Sequence, residues 1–294
     1  MKQQFKETNF RPASRELIEL CDEIITEYQA DNLRLTLRQL YYQLVTKNAI
    51  PNVERSYKNL STLVTDARLA GLLDWDAIED RVRQPRVPSE WENIQGLVES
   101  ALRSYRLPRW EGQRHYVELW VEKDALAGVL RPIASEYHVT LMVNRGYSSA
   151  SAMYESANRF QGHQSLSDCV LLYLGDHDPS GEDMVRDVRE RLEIFGAMVK
   201  VKKIALTMGQ VRKHQPPPNP AKVTDPRAAA YIAEFGEHSW EVDALPPRVL
   251  AATIRRELEA LVNRDLMAAV ELREKKDKEF LRKAVSSYRG GADA

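Results

Sequence analysis

The stretch from Cys169 to Gly175, CVLLYLG, does most to limit the folds open to this chain. A short, unbroken apolar run of this kind suits a central strand buried on both faces. Such a strand needs helices above and below it. The flanking sequence supplies them. HYVELWVEK reads as a strand, DALAGVLRPIASEY as a helix and VTLMVN as a second strand; another helix lies around 150–160. After the apolar strand come the helix SGEDMVRDVRERLEIFG and the strand VKVKKIAL. Strands alternating with helices predict the α/β class, with a doubly wound parallel sheet over about 112–207. Ligands of such sheets bind beyond the carboxyl ends of the strands.

Three acids fall where that rule points. Glu122 ends the first strand in LWVEKDAL, and Asp176 and Asp178 end the third in YLGDHDPSGED. Residues two apart in a strand face one side, so the two aspartates are expected to share a space, with Glu122 at the same rim. Gathered carboxylates raise one another's pKa, and a divalent cation relieves the repulsion. An all-oxygen donor set suits Mg2+ or Mn2+. Pro179-Ser180-Gly181 turns into the next helix and leaves the acids at its N-terminus, with room for a phosphate. The plainer alternative makes Asp176 and Asp178 a turn and helix cap, with Glu122 paired to Lys123 or an arginine.

Before the sheet, residues 1–111 read as helical, with helices over 14–29 (capped by Ser14), 36–47 (capped by Thr36) and 56–71 (stopped by Gly71). Three short helices, the latter two joined by the turn-like AIPNVER, suit a helix-turn-helix or winged-helix unit. The segment 80–94 reads as an arginine-bearing linker. After the sheet, 208–294 opens on the stiff loop QPPPNPAK and closes on a charged helical stretch from about 247 to 284. Within it, SWEVDALPP offers Glu241 and Asp243 to the metal shell, while Trp240, Val242 and Leu245 anchor the segment in the core.

The chain has 294 residues, 43% hydrophobic and 29% charged, with a formal net charge of -1. Affinity for nucleic acid would therefore come from local patches and from metal. The strongest positive stretch runs from Lys200 to Arg227; Lys213, Lys222 and Arg227, with Arg145 at a strand end, are the candidate phosphate contacts. No apolar run nears the roughly 20 residues that span a bilayer. The N-terminus has no signal-peptide pattern, and the two cysteines, Cys21 and Cys169, read as buried thiols. A cytoplasmic location is expected.

Two motifs then carry a family resemblance. A strand-end VEK followed by DxDPxG after an apolar strand resembles the Toprim domain of topoisomerases, primases and nucleases. TLRQLYY, at 36–42, looks like the T-x-R-x-x-Y-Y motif in the winged-helix domain of the topoisomerase VI A subunit and its meiotic double-strand-break relatives. The resemblance implies a homodimer acting on double-stranded DNA. It places metal at Glu122, Asp176 and Asp178, with Glu122 also catalytic, and makes Tyr42 the nucleophile, attacking from the partner protomer. The chain carries no ATPase motif, so strand passage would need a separate subunit.

Helical geometry gives an independent view of Tyr42. At about 100° per residue, Leu37, Leu40, Tyr41, Leu44 and Val45 share one face, and Tyr42 lies about 120° from its centre. An exposed phenol is therefore expected, with Arg38 four residues before it to favour phenolate and hold a phosphate. A surface tyrosine packed on a wing is the other reading. Three functions stay open: metal-dependent cleavage through a phosphotyrosyl link, a nuclease using the same acids to activate water, and a non-catalytic DNA-binding subunit for a partner ATPase.

Overall fold

The computed structural model describes residues 1–31, 34–78, 88–144, 146 and 148–288, with side chains through 284. Three helices come first, α1 (Pro12–Ala30), α2 (Leu37–Thr46) and α3 (Glu54–Leu69). They close on a core that includes Ile24, Ile25, Leu40, Leu44 and Leu60, with Cys21 buried among them. Thr36 caps α2 as the sequence suggests: its hydroxyl accepts from the Gln39 amide, and Gln39 Oε1 accepts from the Thr36 amide at 2.9 Å. Ser14 is not a cap. Helix α1 starts two residues earlier on Pro12, whose missing N–H is harmless in a first turn.

Next comes α4 (Ile94–Ser104), then β1 (His115–Val121) and, after a short 3-10 turn, α5 (Ala127–Tyr137). The alternation continues with β2 (Thr140–Val143), α6 (Ala150–Gln161), β3 (Asp168–Leu174), α7 (Pro179–Ile194) and β4 (Lys200–Ala205). All pairings in this four-stranded sheet are parallel, in the order β2-β1-β3-β4. The α/β class predicted from the alternation is therefore what forms. Period-two packing explains the apolar strands. Val117, Leu119, Leu172 and Leu174 meet α5 and a later helix on one face. Trp120, Leu171 and Tyr173 meet α6 and α7 on the other. The one charged residue inside β1, Glu118, is fully buried but satisfied by Arg159, Trp120 and Tyr116.

Residues 208–246 then cross the carboxyl end of the sheet, and 247–263 return to the amino end of β1. Helix α8 (Met208–His214) leads to β5 (Asn219–Pro220), α9 (Ala228–Phe235) and β6 (His238–Ser239), the last pairing antiparallel with β5. A 3-10 turn, Val242–Ala244, precedes α10 (Pro247–Glu259) and α11 (Arg264–Tyr288). Helix α10 is the second helix on the β1–β3 face, and α11 packs on α4. No helix among the described residues is long and apolar enough to cross a membrane.

In this strand order the crossovers leave β1 and β3 as neighbours that lead away in opposite directions. That junction opens a crevice at their carboxyl ends, and Glu122 and Asp176 stand at it.

Candidate active site

Backbone pairing runs on past the ends of the strands and fixes the crevice. The Glu122 amide donates to Leu174 O at 2.9 Å, and the Gly175 amide to Ala205 O at 2.8 Å. A Cβ at Gly175 would sit 2.9 Å from Glu122 Oε2 and 2.7 Å from the Tyr173 ring, so any larger residue would displace these side chains. The Glu122 carboxylate thus lies over the chain and accepts the Asp176 amide at 3.2 Å. Gly181 is forced, because a Cβ would come within 2.3 Å of Asp176 O.

The aspartates do not lie in a strand, as their spacing suggested. β3 stops at Leu174, and both occupy the turn into α7. Asp178 is the N-cap of α7: its Oδ1 accepts the Gly181 amide at 2.6 Å and the Ser180 hydroxyl at 2.8 Å. Asp176 is buried. Its Oδ1 accepts the Val242 amide at 2.8 Å and its Oδ2 faces Lys123 Nζ at 2.9 Å.

Between the aspartates, His177 ties the C-terminal segment to this turn. Its backbone pairs in both directions with Trp240, and its ring Nδ1 lies 2.8 Å from the Tyr231 hydroxyl. This bridge sets Glu241 and Asp243 beside Asp176. Lys123 Nζ reaches both, at 3.0 and 3.3 Å, rather than pairing with Glu122. From α2, Arg38 binds Glu241 and places its Nε 3.2 Å from Asp243 Oδ2. From sequence, Glu241 and Asp243 are only possible shell members, and Lys123 only a possible partner for Glu122. The EVD spacing around buried Val242 was the available signal.

Electrostatics divide these acids. Burial opposes ionisation of Glu241, but Lys123 and Arg38 overcome it and hold the carboxyl well below its usual range. Fully buried Asp243 is pushed up by desolvation despite the same two cations. Burial likewise raises Asp176 against Lys123. Glu122 is pushed up to about 6, by burial first and then by the charge of Asp176. Neither Glu122 nor Asp178 forms an ion pair among the described residues.

A cleft of about 400 Å³ opens beside this network. Arg38 and Tyr42 line it from α2, Asp176 and Asp178 from the turn between β3 and α7, and Lys222 and Glu241 from the C-terminal segment. Residues far apart in sequence are thus brought together within one chain. The exposed phenol is not what forms, however. Tyr42 is 4% exposed, because α2 packs a second face against the Val242–Ala244 turn. Its hydroxyl stands 3.5 Å from Arg38 and also meets the Glu241 carboxylate. Burial, then Asp243 and Glu241, raise the phenol above its ordinary value, and Arg38 does not reverse this.

Among the basic candidates, Lys222 lines the cleft, and Lys213 is exposed on α8. Arg227 is engaged with Asp225 and Asp183, each at 2.8 Å. Lys202 and Lys203 meet Glu257 and Glu182, so the basic strand is largely neutralised within the fold. Arg145, and 80–87 of the arginine-bearing segment, lie outside the described residues.

For a divalent ion, the donor chemistry fits better than the present packing. Among the described residues no three His, Cys, Asp or Glu side chains form a ready-made cage. Asp176 is turned to Lys123 and Asp178 to its helix. Yet Glu122 Oε1 and Asp178 Oδ2 make no hydrogen bond or ion pair among the described residues, and both are hard oxygen donors of the kind Mg2+ prefers. No family model and no curated protein matches this chain.

Proposed function

We propose that this chain cleaves DNA with the help of a divalent cation, Mg2+ or Mn2+, at the crevice between β1 and β3. The observation that carries the reading is the shared cleft, where Arg38 and Tyr42 from α2 meet Asp176 and Asp178 from the turn after β3. On this reading the sheet region is a Toprim domain and the N-terminal helices are a winged-helix unit that presents DNA to it. Glu122 and Asp178 hold the cation, which when bound supplies positive charge to a phosphate in flight. Arg38 and Lys222 orient the phosphodiester. Tyr42 Oη gives its proton to solvent and attacks phosphorus, forming a phosphotyrosyl bond as the bond from phosphorus to a deoxyribose oxygen breaks and that oxygen takes a proton from solvent. A homodimer, and a separate ATPase subunit for strand passage, belong to this reading.

A second reading rests on the burial of Tyr42 and its raised phenol. Here the same acids activate water and the tyrosine only shapes the cleft. One experiment separates the two. Plasmid DNA labelled in the backbone is incubated with the protein and Mg2+ or Mn2+, then denatured in detergent. Label bound to wild type and lost in Tyr42→Phe supports the phosphotyrosyl route. Free ends that persist in Tyr42→Phe but vanish in Asp178→Asn support activated water. No cleavage with either metal contradicts both.

A further inference from the structure

The acids at the rim fall into two groups by what already neutralises them. Asp176, Glu241 and Asp243 each offer an oxygen to Lys123 Nζ, at 2.9, 3.0 and 3.3 Å. An ammonium has three hydrogens to donate, and here it has three carboxylate acceptors from two separate segments. Arg38 adds a second positive charge on Glu241 and Asp243. Two fixed charges thus stand against three carboxylates, the same positive charge that one divalent ion would bring. Glu122 and Asp178 have no such partner among the described residues.

We infer that Lys123 permanently fills one of two cation positions at this rim, so that the chain binds a single divalent ion, at Glu122 and Asp178. Lys123 is then a positioning residue. It holds Asp176 and Glu241 in place while leaving the second position closed to metal. The inference rests on the proposed metal site and adds to it the number of ions bound and what limits that number.

Mn2+ binding tests this without any cleavage assay. Titrations followed by calorimetry and by the electron-spin signal of free Mn2+ give the number of ions per chain. Wild type is expected to bind one, and Lys123→Arg, which keeps the charge, also one. Lys123→Gln is expected to bind two, since Asp176, Glu241 and Asp243 then lack their ammonium. Asp243→Asn, with Lys123 intact, is expected to keep the single ion, and Asp178→Asn to lose it. Two ions on wild type, one ion on folded Lys123→Gln, or loss of the ion in Asp243→Asn would each overturn the inference while leaving a metal at the rim. If Lys123→Gln does not fold even with Mn2+, the wild-type and Asp243→Asn counts decide. No ion on wild type overturns the metal site itself and this inference with it.

Discussion

Asp176, Glu241 and Asp243 share one rim with Glu122 and Asp178, yet the fold treats the two groups differently. The first group has Lys123 and Arg38 built into it. The second has only backbone amides and a serine hydroxyl. The contrast teaches that acids gathered at one rim need not be electrostatically alike: three are bound directly by built-in cations, and two are held by backbone amides and a hydroxyl.

The comparison breaks first at Lys123. Removing one partner of a buried ion pair strands the others, at a cost of roughly 3–5 kcal/mol. Lys123→Gln is therefore expected to lose about that much stability in denaturant titrations without metal. Little or no loss would mean the two groups are not electrostatically distinct.

Glu122 should move the other way. Its folded pKa, about 6, lies above the ordinary 4.5, so the folded chain keeps a proton that the unfolded chain sheds. Stability is then lost as pH rises from 4.5 through 6, and the full penalty stands above that range. Glu122→Gln is expected to stabilise the metal-free protein by about 1–2 kcal/mol at pH 7.5. The gain should vanish near pH 4. An equal gain at both values would show that the Glu122 charge is not what strains the site.

Asp178 sharpens the contrast further, because it is both helix cap and proposed ligand. Asp178→Ala is expected to cost about 1 kcal/mol through the cap alone. Asp178→Ser, which can still cap α7, should recover most of that stability in thermal melts but not metal binding. The smallest effect belongs to Arg227, whose two partially exposed ion pairs are worth no more than about 1 kcal/mol. Arg227→Ala should barely change stability, and it should leave DNA affinity in a filter-binding assay within about twofold.

Much of this fold is legible in the chain itself. Alternating strand and helix patterns place β1 to β4 closely, because the apolar runs of β1 and β3 reflect a sheet centre covered on both faces. The Thr36 cap is equally local. What cannot be read is what closes over a surface from far away. Tyr42 looks exposed on a helical wheel, but the turn that covers it lies in the C-terminal segment, and Arg38 and Glu241 are 203 positions apart. Lys123 likewise finds Glu241 and Asp243 at separations of 118 and 120. The strand-end rule brings Glu122 and Asp176 to the β1–β3 crevice, where they do meet. It misassigns Asp176 and Asp178 to a strand because β3 ends at Leu174, two residues before Asp176.

Thermal unfolding in increasing Mg2+ addresses most directly whether a cation belongs at Glu122 and Asp178. A ligand that binds only the folded chain stabilises it by about 2.7 kcal/mol at a hundred times its dissociation constant. Wild-type Tm should climb with Mg2+ at pH 7.5, and the climb should be absent in Asp178→Asn and in Glu122→Gln. A flat wild-type response, or an undiminished rise in both variants, would contradict the cation site on which the proposed chemistry depends.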